Sequence, residues 1–255
     1  MKLGYLMVPR AEANGVPTRD TGRAQFARAL GISEFYTIEP QDHAMGGQTL
    51  ASSPEHAEAL RTCPELSEHR TPRVVAIDGK RQATFKPDIA ANLTRPAVTP
   101  EHVKANARRR QATLSVSWLN TSDLAQHWSA HVSGSTHAGV RARPEDWRIA
   151  RTILVCNDTA RAEAAIKSKD SPCRAYYRKM AAPGTDIDTL MDECVLYGSL
   201  DTVLTGLDGI VNATSHFGTL TLVDHAWTDE TLAQQSLAAI SAALAPVKLR
   251  SRTAT

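Results

Sequence analysis

A histidine and a carboxylate follow the end of a predicted strand near the N-terminus. The run EFYTIE (34–39) predicts that strand, and Asp42 and His43 come shortly after it. In α/β barrels the side chains at the carboxyl ends of the strands build the active site. A histidine there can act as a general base, because its ordinary pKa lies near neutral pH. The alternative interpretation is a solvated turn after Pro40.

Three further side chains have the chemistry to hold a ligand. Trp118 ends a predicted strand, where its ring either walls a pocket or fills the core. Arg151 shares strand 147–155 with Arg148, and a separation of three places the two on opposite faces. One of them can bind a phosphate, or it is a charge at a strand end. Tyr177 lies in SPCRAYYRKM, which predicts either the mouth of a ligand site or a half-buried helix.

Other catalytic patterns are weak. His127 and His131 are four residues apart on a predicted helix and could share a metal ion. The glutamate of the zinc-protease motif is missing, so we expect surface or helix-end histidines instead. Cys173 lies beside Arg174, which can lower a thiol pKa, but an unreactive thiol is favoured. Nucleophile-elbow, phosphate-loop and dinucleotide motifs do not occur.

The elements that must position these side chains alternate between strand and helix, which indicates an α/β protein. Predicted strands cover 3–8, 34–39, 73–77, 113–119, 147–155 and 217–223. Predicted helices cover 19–30, 54–66, 100–110 with Thr99 as its cap, 122–138, and 159–168 with Asp158 as its cap. Two more are predicted, one capped by Asp201 and one capped by Thr228 and running through Ala243. Residues 78–99 show little periodicity. The stretch 186–230 predicts helix, glycine break, helix, buried strand and helix start.

Composition narrows the class of protein. The chain has 255 residues, of which 42% are hydrophobic and 22% charged, and we expect a single domain over 1–255. The 29 basic and 27 acidic residues are mixed along the chain, which argues against a nucleic-acid partner. Four scattered cysteines predict reduced thiols and a cytoplasmic protein. Neither a signal peptide nor a membrane span is expected.

Several segments, in order, resemble one known family. They include MKLGYLMVP, LGISEFYTIEP, SWLNTSDLAQHWSAH, EDWRIARTILVCND, YGSLDTV, HFGTLTLV and HAWTD. Together they resemble the bacterial luciferase-like monooxygenases, which are flavin-dependent (β/α)8 barrels. The resemblance implies an incomplete TIM-type barrel with about six readable strands. The segment 78–112 stands where the family has further strands, so it is an atypical, shortened middle.

The resemblance also implies a function. Reduced flavin mononucleotide (FMN), supplied by a flavin reductase, and oxygen would oxidise a small organic substrate. The family often ends its second strand with Glu-His-His, which makes Glu39, Asp42 and His43 the catalytic candidates. Trp118, Arg151 and Tyr177 are the cofactor-binding candidates.

Two implications of the resemblance concern activity and assembly. Because the middle strands help to hold the flavin phosphate in the family, the alternative is a shortened relative without flavin monooxygenation. Such a relative would bind a ligand or catalyse a reaction without a cofactor. Relatives pair through helices of the N-terminal half, so a homodimer is expected.

Overall fold

The strands form one large sheet and one small ribbon. The structure is a computed structural model that describes residues 1–7, 10–11, 17–18, 21–32, 34–37, 94–214, 217–225 and 227–245. Within them the strands are β1 Lys2–Met7, β2 Arg10–Ala11, β3 Pro17–Thr18, β4 Glu34–Thr37, β5 Thr94–Ala97, β6 Ala112–Ser115, β7 Trp147–Val155, β8 Val195–Gly198 and β9 Thr219–Asp224. The ribbon is the antiparallel pair β2–β3.

Helices follow most of these strands. They are α1 Thr21–Ala29, α2 Pro100–Arg108, α3 Thr121–His137, α4 Thr159–Lys167, α5 Pro172–Met180, α6 Ile187–Cys194, α7 Leu200–Thr214 and α8 Glu230–Leu244, with a 3-10 turn at Pro144–Asp146. Thr99 caps α2 as predicted, since its side chain accepts a hydrogen bond from the His102 amide. Asn120 and Asp123 form a capping box at the start of α3. None of the helices in the described ranges is long and apolar enough to cross a membrane.

Strand β7 is the centre of the sheet. The order is β4-β1-β9-β7-β6-β5, with β8 also paired to β7, and every pairing in this sheet is parallel. Residues 148–151 of β7 pair with β9, whereas 152–155 pair with β8. Over the described residues β4 and β5 each pair on one side only, so the sheet is not closed there. This architecture confirms the predicted α/β class and the incomplete barrel.

The side chains of β7 alternate between two hydrophobic clusters. Ala150 and Leu154 belong to one cluster. Thr152 has the same orientation along the strand, and we call this side of the sheet the Thr152 face. Trp147, Ile149 and Ile153 belong to the other cluster and define the Ile153 face. Helices α4 to α6 cover the Thr152 face, and α1, α3, α7 and most of α8 cover the Ile153 face.

A buried ion pair joins β7 to β4, two strands that are not neighbours. Arg148 donates from Nε to Glu34 Oε2 at 2.8 Å and from Nη2 to Oε1 at 3.3 Å. Both side chains are almost fully buried. The pair spans β9 and β1, which lie between these strands in the sheet. Arg148 is therefore a structural cation. Its anionic partner is Glu34, and not the ligand phosphate that the sequence analysis considered.

Two strands of the large sheet and both strands of the β2–β3 ribbon were missed, and two helix caps were predicted wrongly. Strand β5 lies in the segment of weak periodicity, and β8 in a run interpreted as helix. Ser199, not Asp201, caps α7, because its hydroxyl accepts from the Thr202 amide at 3.2 Å. Asp229, not Thr228, caps α8. Each correct cap lies within two residues of the predicted one, as expected when several capping residue types are adjacent.

The predicted helix 54–66 and strand 73–77 lie outside the described residues.

Candidate functional site

The three predicted ligand-binding residues lie around one turn at the end of β6. The backbone carbonyl of Ser117 accepts hydrogen bonds from Arg151 Nη1 at 3.2 Å and from the Tyr177 hydroxyl at 3.3 Å. Trp118 is the next residue, and its ring meets Tyr176 edge-on at 6.1 Å. The chain between β6 and α3 therefore brings together residues from β7 and α5. We call this group, with Thr152 and His225, the Ser117 cluster.

A line of hydroxyl groups connects α5 to the end of β9 inside this cluster. The Tyr177 hydroxyl donates to Thr152 Oγ1 at 3.0 Å, and Thr152 Oγ1 lies 2.7 Å from His225 Nε2. Thr152 faces α5 because of its alternation along β7. His225 directly follows Asp224, the last residue of β9. The line therefore lies at the carboxyl side of the sheet, where α/β folds place their chemistry.

Burial defines the charge of His225. The single Tyr177 hydroxyl proton lies between two acceptors, the Ser117 carbonyl and Thr152 Oγ1, so the Thr152 hydroxyl can either donate to Nε2 or accept from it, and both neutral tautomers of the ring fit these contacts. Burial, with a smaller contribution from the nearby Arg23 guanidinium, lowers the pKa of His225 to about 3. The ring is therefore neutral at pH 7. Its Nδ1 has no hydrogen-bond partner among the described residues.

Aromatic rings enclose the hydroxyl line. The Tyr176 ring lies 4.8 Å from that of His225, and the Trp227 ring lies 5.2 Å from it on another side. The Tyr176 hydroxyl is 2.9 Å from Ser117 Oγ. Burial raises the pKa of Tyr176 and of Tyr177. Both phenols therefore stay protonated and can act only as neutral donors or acceptors near pH 7.

Arg151 has an unusual electrostatic environment. The side chain is 1% exposed, and no carboxylate of the described residues lies within ion-pair distance of it. Its Nη1 donates to the carbonyls of Ser117 and Ala150, whereas Nη2 has no partner in the described part of the chain. Burial lowers its pKa. A buried cation that lacks an anion is costly, so this position favours an anionic group nearby.

The three predicted catalytic residues, Glu39, Asp42 and His43, lie outside the described residues. Their role stays a prediction. Strand β4 runs parallel to β1 and β9, so its carboxyl end lies on the same side of the sheet as His225. A segment that follows β4 therefore starts at the correct side of the fold for contact with the Ser117 cluster.

The histidine pair of α3 has a structural role. His127 and His131 are buried, so the expectation of surface histidines was wrong. Ser115 Oγ accepts from Trp147 Nε1 at 2.8 Å and lies 2.8 Å from His127 Nδ1. Burial lowers the pKa of His127 to about 4. The described residues contain no group of three potential metal ligands, and burial raises the pKa of Cys173, which leaves it a protonated thiol.

Sequence reasoning missed Ser117 and Thr152 and gave His225 no definite role. Alternation along β7 places Thr152 on the face of Arg148 and opposite Arg151, so strand parity gave no signal that Thr152 joins the Ser117 cluster. The contact of Ser117 with Arg151 had no such signal, since it depends on the path of the chain after β6.

Comparison with known proteins adds evidence about the fold. The sequence matches no protein-family model and no curated protein. Among solved structures, monooxygenase RslO1 from Streptomyces bottropensis aligns over 96% of this chain and 98% of its own, with a TM-score of 0.58 and 15% identity. An F420-dependent secondary alcohol dehydrogenase, in complex with an F420-acetone adduct, aligns over 94% and 98%, with a TM-score of 0.60 and 11% identity.

A third similar structure is the oxygenating constituent of 3,6-diketocamphane monooxygenase from Pseudomonas putida, in complex with FMN. The alignment has 19% identity and a TM-score of 0.48, and it covers 68% of this chain and 48% of that chain, so this chain matches about half of its length. The likenesses show the fold: the chain has the luciferase-like fold, in a version whose described sheet is open.

The side chains of the Ser117 cluster can be compared with the chemistry of a flavin cofactor. FMN has a planar ring system and an anionic phosphate. The unpartnered Nη2 of Arg151 fits the phosphate, and the half-buried indole of Trp118 fits the planar ring. The donor set of the Ser117 cluster is therefore chemically compatible with a flavin-type cofactor.

Proposed function

We propose that this protein is an oxidoreductase that uses a flavin-type cofactor, FMN or F420, to act on a small organic substrate. One observation supports it most: in a luciferase-like fold, the carboxyl side of the sheet holds a buried guanidinium, Arg151, with no described carboxylate beside it. An anionic cofactor would supply a counter-charge that the described residues do not provide. The cofactor, when bound, would supply the electron or hydride transfer.

The roles of the residues follow from their chemistry. Arg151 would bind the anionic group, while Trp118 would pack against the planar ring. Tyr177 orients Thr152, and Thr152 fixes the His225 ring. Neutral His225 can present Nδ1 as a hydrogen-bond donor or acceptor, according to its tautomer, in a water-poor environment, where such a bond is strong.

Glu39, Asp42 and His43 complete the proposal as catalytic candidates. A histidine in this segment would move a proton to or from the substrate. A separate flavin reductase and a homodimer are also part of the proposal. The expected result of His43→Ala is a lower turnover with unchanged cofactor affinity.

Cofactor titration tests the proposal. Oxidised and reduced FMN and F420 are titrated into the protein, and binding is measured by flavin fluorescence and by calorimetry. We expect one of them to bind and Arg151→Met to weaken it by roughly 10- to 100-fold, the value of a charge-assisted hydrogen bond. Arg161→Met is the matched control, since this exposed arginine pairs with Asp229 away from the cluster. Failure of every cofactor to bind in both redox states would reject the oxidoreductase.

A second candidate is supported by burial. Tyr176, Tyr177, Thr152 and His225 are each at most 5% exposed, so their side chains fill the space that they share. This favours a shortened luciferase-like protein that binds a ligand without flavin turnover. Protein that binds FMN but does not reoxidise reduced FMN faster than buffer, with any substrate, would support this candidate over the first.

A further inference from the structure

The C-terminal ends of α2 and α3 meet in one exposed corner of the molecule. Both helices end in the same way, because the amides of Gln111 and Val140 each donate to a carbonyl five residues earlier at 3.0 Å. This ending requires a positive φ angle, which is 56° at Arg110 and 69° at Gly139. The Arg110 guanidinium joins the two ends, since its Nη2 donates to the Ala138 carbonyl at 3.3 Å.

Positive charge is concentrated at this corner, which consists of residues 108–110 and 139–146 and which we call the arginine corner. It contains five arginines and two carboxylates, so its net charge of +3 exceeds the +2 of the whole chain. All five arginines are exposed. Arg143 lies 3.7 Å from Glu145 and 3.6 Å from Asp146. The other four arginines form no ion pair with the residues that the structure describes.

Helix dipoles account for only one of these four arginines. A cation near the C-terminus of a helix is stabilising because the last carbonyls carry a partial negative charge. Arg110 has this role through its hydrogen bond to α3. Within the described ranges, the guanidinium groups of Arg108, Arg109 and Arg141 make no hydrogen bond to the protein. They are therefore available to an anion from outside the chain.

An exposed apolar side chain lies among these arginines. Val132 and Val140 are 39% and 36% exposed and, with Met1, are the exposed large hydrophobic residues of the described ranges. A residue at the position of Val140 usually packs against the last turn of the helix that it follows. That turn offers Gly134 and Ser135, which provide no large apolar surface. Arginine together with an apolar side chain is typical of protein–protein interfaces.

We propose that the arginine corner binds an acidic segment of a partner protein, with carboxylates at Arg108, Arg109 and Arg141 and an apolar side chain at Val140. The guanidinium group binds a carboxylate through two parallel hydrogen bonds, which gives the contact a direction as well as a charge. Burial of Val140 by the partner would remove apolar surface from water.

A nucleic acid is less complementary to the arginine corner. Its phosphates would meet Glu145 and Asp146, of which Glu145 is 66% exposed. A peptide can place neutral residues there, whereas every nucleotide carries a charge. Single strands also bind through exposed aromatic rings, and none of the exposed large hydrophobic residues in the described part of the chain is aromatic.

The test uses the full chain without flavin, so its outcome is independent of the proposed function. The probe is a fluorescein-labelled peptide of sequence Glu-Glu-Val-Glu-Glu-Leu-Glu-Glu, and binding is measured by fluorescence anisotropy. We expect half-saturation between roughly 0.1 and 1 mM. A peptide with glutamine in place of every glutamate should bind at least ~10-fold more weakly, and labelled oligo(dT) of the same charge should also bind more weakly than the acidic peptide.

Three variants locate the binding. Arg109→Gln/Arg141→Gln should weaken the acidic peptide by ~5-fold or more, and Val140→Ser by about 3-fold. Arg178→Gln/Lys179→Gln is the matched control, because it removes the same charge from exposed positions of α5 and should leave the affinity unchanged. Far-UV circular dichroism checks that each variant is folded.

The proposal is overturned if binding of the acidic peptide does not saturate, if oligo(dT) binds more tightly, or if the two double variants weaken the peptide equally. An unchanged affinity in Val140→Ser would also overturn it, since a simple anion site would remain. Sedimentation velocity tests a second copy of this chain as the occupant. A dimer that Arg109→Gln/Arg141→Gln converts to a monomer would replace the partner protein by that second copy.

Discussion

The buried pair Arg148–Glu34 should be one of the main determinants of stability. Replacement of Glu34 by Gln keeps the shape of the side chain and leaves the guanidinium without its counter-charge. The two hydrogen bonds of 2.8 and 3.3 Å weaken, and the remaining contact of Arg148 is the Glu145 carbonyl at 3.4 Å. Loss of one partner of a buried ion pair typically costs about 3–5 kcal/mol.

The cost should be visible in urea denaturation. Domains are stable by only about 5–15 kcal/mol, so Glu34→Gln removes a large share. With a slope of about 3 kcal/mol per molar urea, the midpoint should fall by about 1 M or more. The double variant Glu34→Gln/Arg148→Met should recover part of this loss, because it removes the unpaired charge.

The exposed arginine of the same region provides the control. Arg143 lies near Glu145 and Asp146 but is 65% exposed, so Arg143→Gln should change stability by no more than about 0.5 kcal/mol. The reasoning is refuted if Glu34→Gln shifts the midpoint no more than Arg143→Gln, or if the double variant is as unstable as the sum of its single variants.

Three further outcomes follow from the structure. Burial lowers the pKa of His225 to about 3 and of His127 to about 4. Between these values and the ordinary histidine pKa, both histidines are protonated in the unfolded chain but neutral in the folded chain. The stability that the two neutral histidines contribute is complete above about pH 6.5, and below it the free energy of unfolding falls by about 1.4 kcal/mol per pH unit for each histidine, down to the folded pKa. Urea midpoints should therefore decrease from pH 7 to pH 5, and the decrease should be less steep in His127→Gln. A Cβ at Gly134 would lie 2.5 Å from a backbone oxygen of α2, so Gly134→Ala should lower the melting temperature, whereas Gly209→Ala, in open space on α7, should raise it slightly. Tyr177→Phe removes the donor to Thr152 and should cost about 1–2 kcal/mol in the same denaturation assay, with an unchanged midpoint as the contrary result.

Local sequence signals predicted most of the elements correctly. The run WRIARTILV predicted a strand over 147–155, and the structure has that strand at the same residues. Thr99 and Asp158 predicted two helix starts, because a side-chain oxygen at that position satisfies a free backbone amide. These signals need only residues close in the chain. The sequence did not predict strand β8, because its four residues follow α6 directly and only their pairing with β7 makes them a strand.

The candidate site was predictable only in part. Trp118, Arg151 and Tyr177 were selected for their chemistry, and the structure places all three around Ser117. Their roles in cofactor binding stay predictions. The prediction that His127 and His131 are exposed was wrong. A helical face that carries histidines and polar residues predicts exposure, but Trp128 stacks on both His131 and Trp147 and helps to bury this face.

The sequence by itself determined most of the order of strands and helices, the separation of Arg148 from Arg151 on β7 and the likeness to the luciferase-like fold. Periodicity and capping are local, so the chain expresses them without reference to distant residues. The tertiary structure alone decided the partners: Glu34 for Arg148, the Ser117 carbonyl for Arg151, and Thr152 for His225. Such contacts join residues that are 34 to 114 positions apart, and the path of the chain between them depends on how the whole sheet packs against its helices.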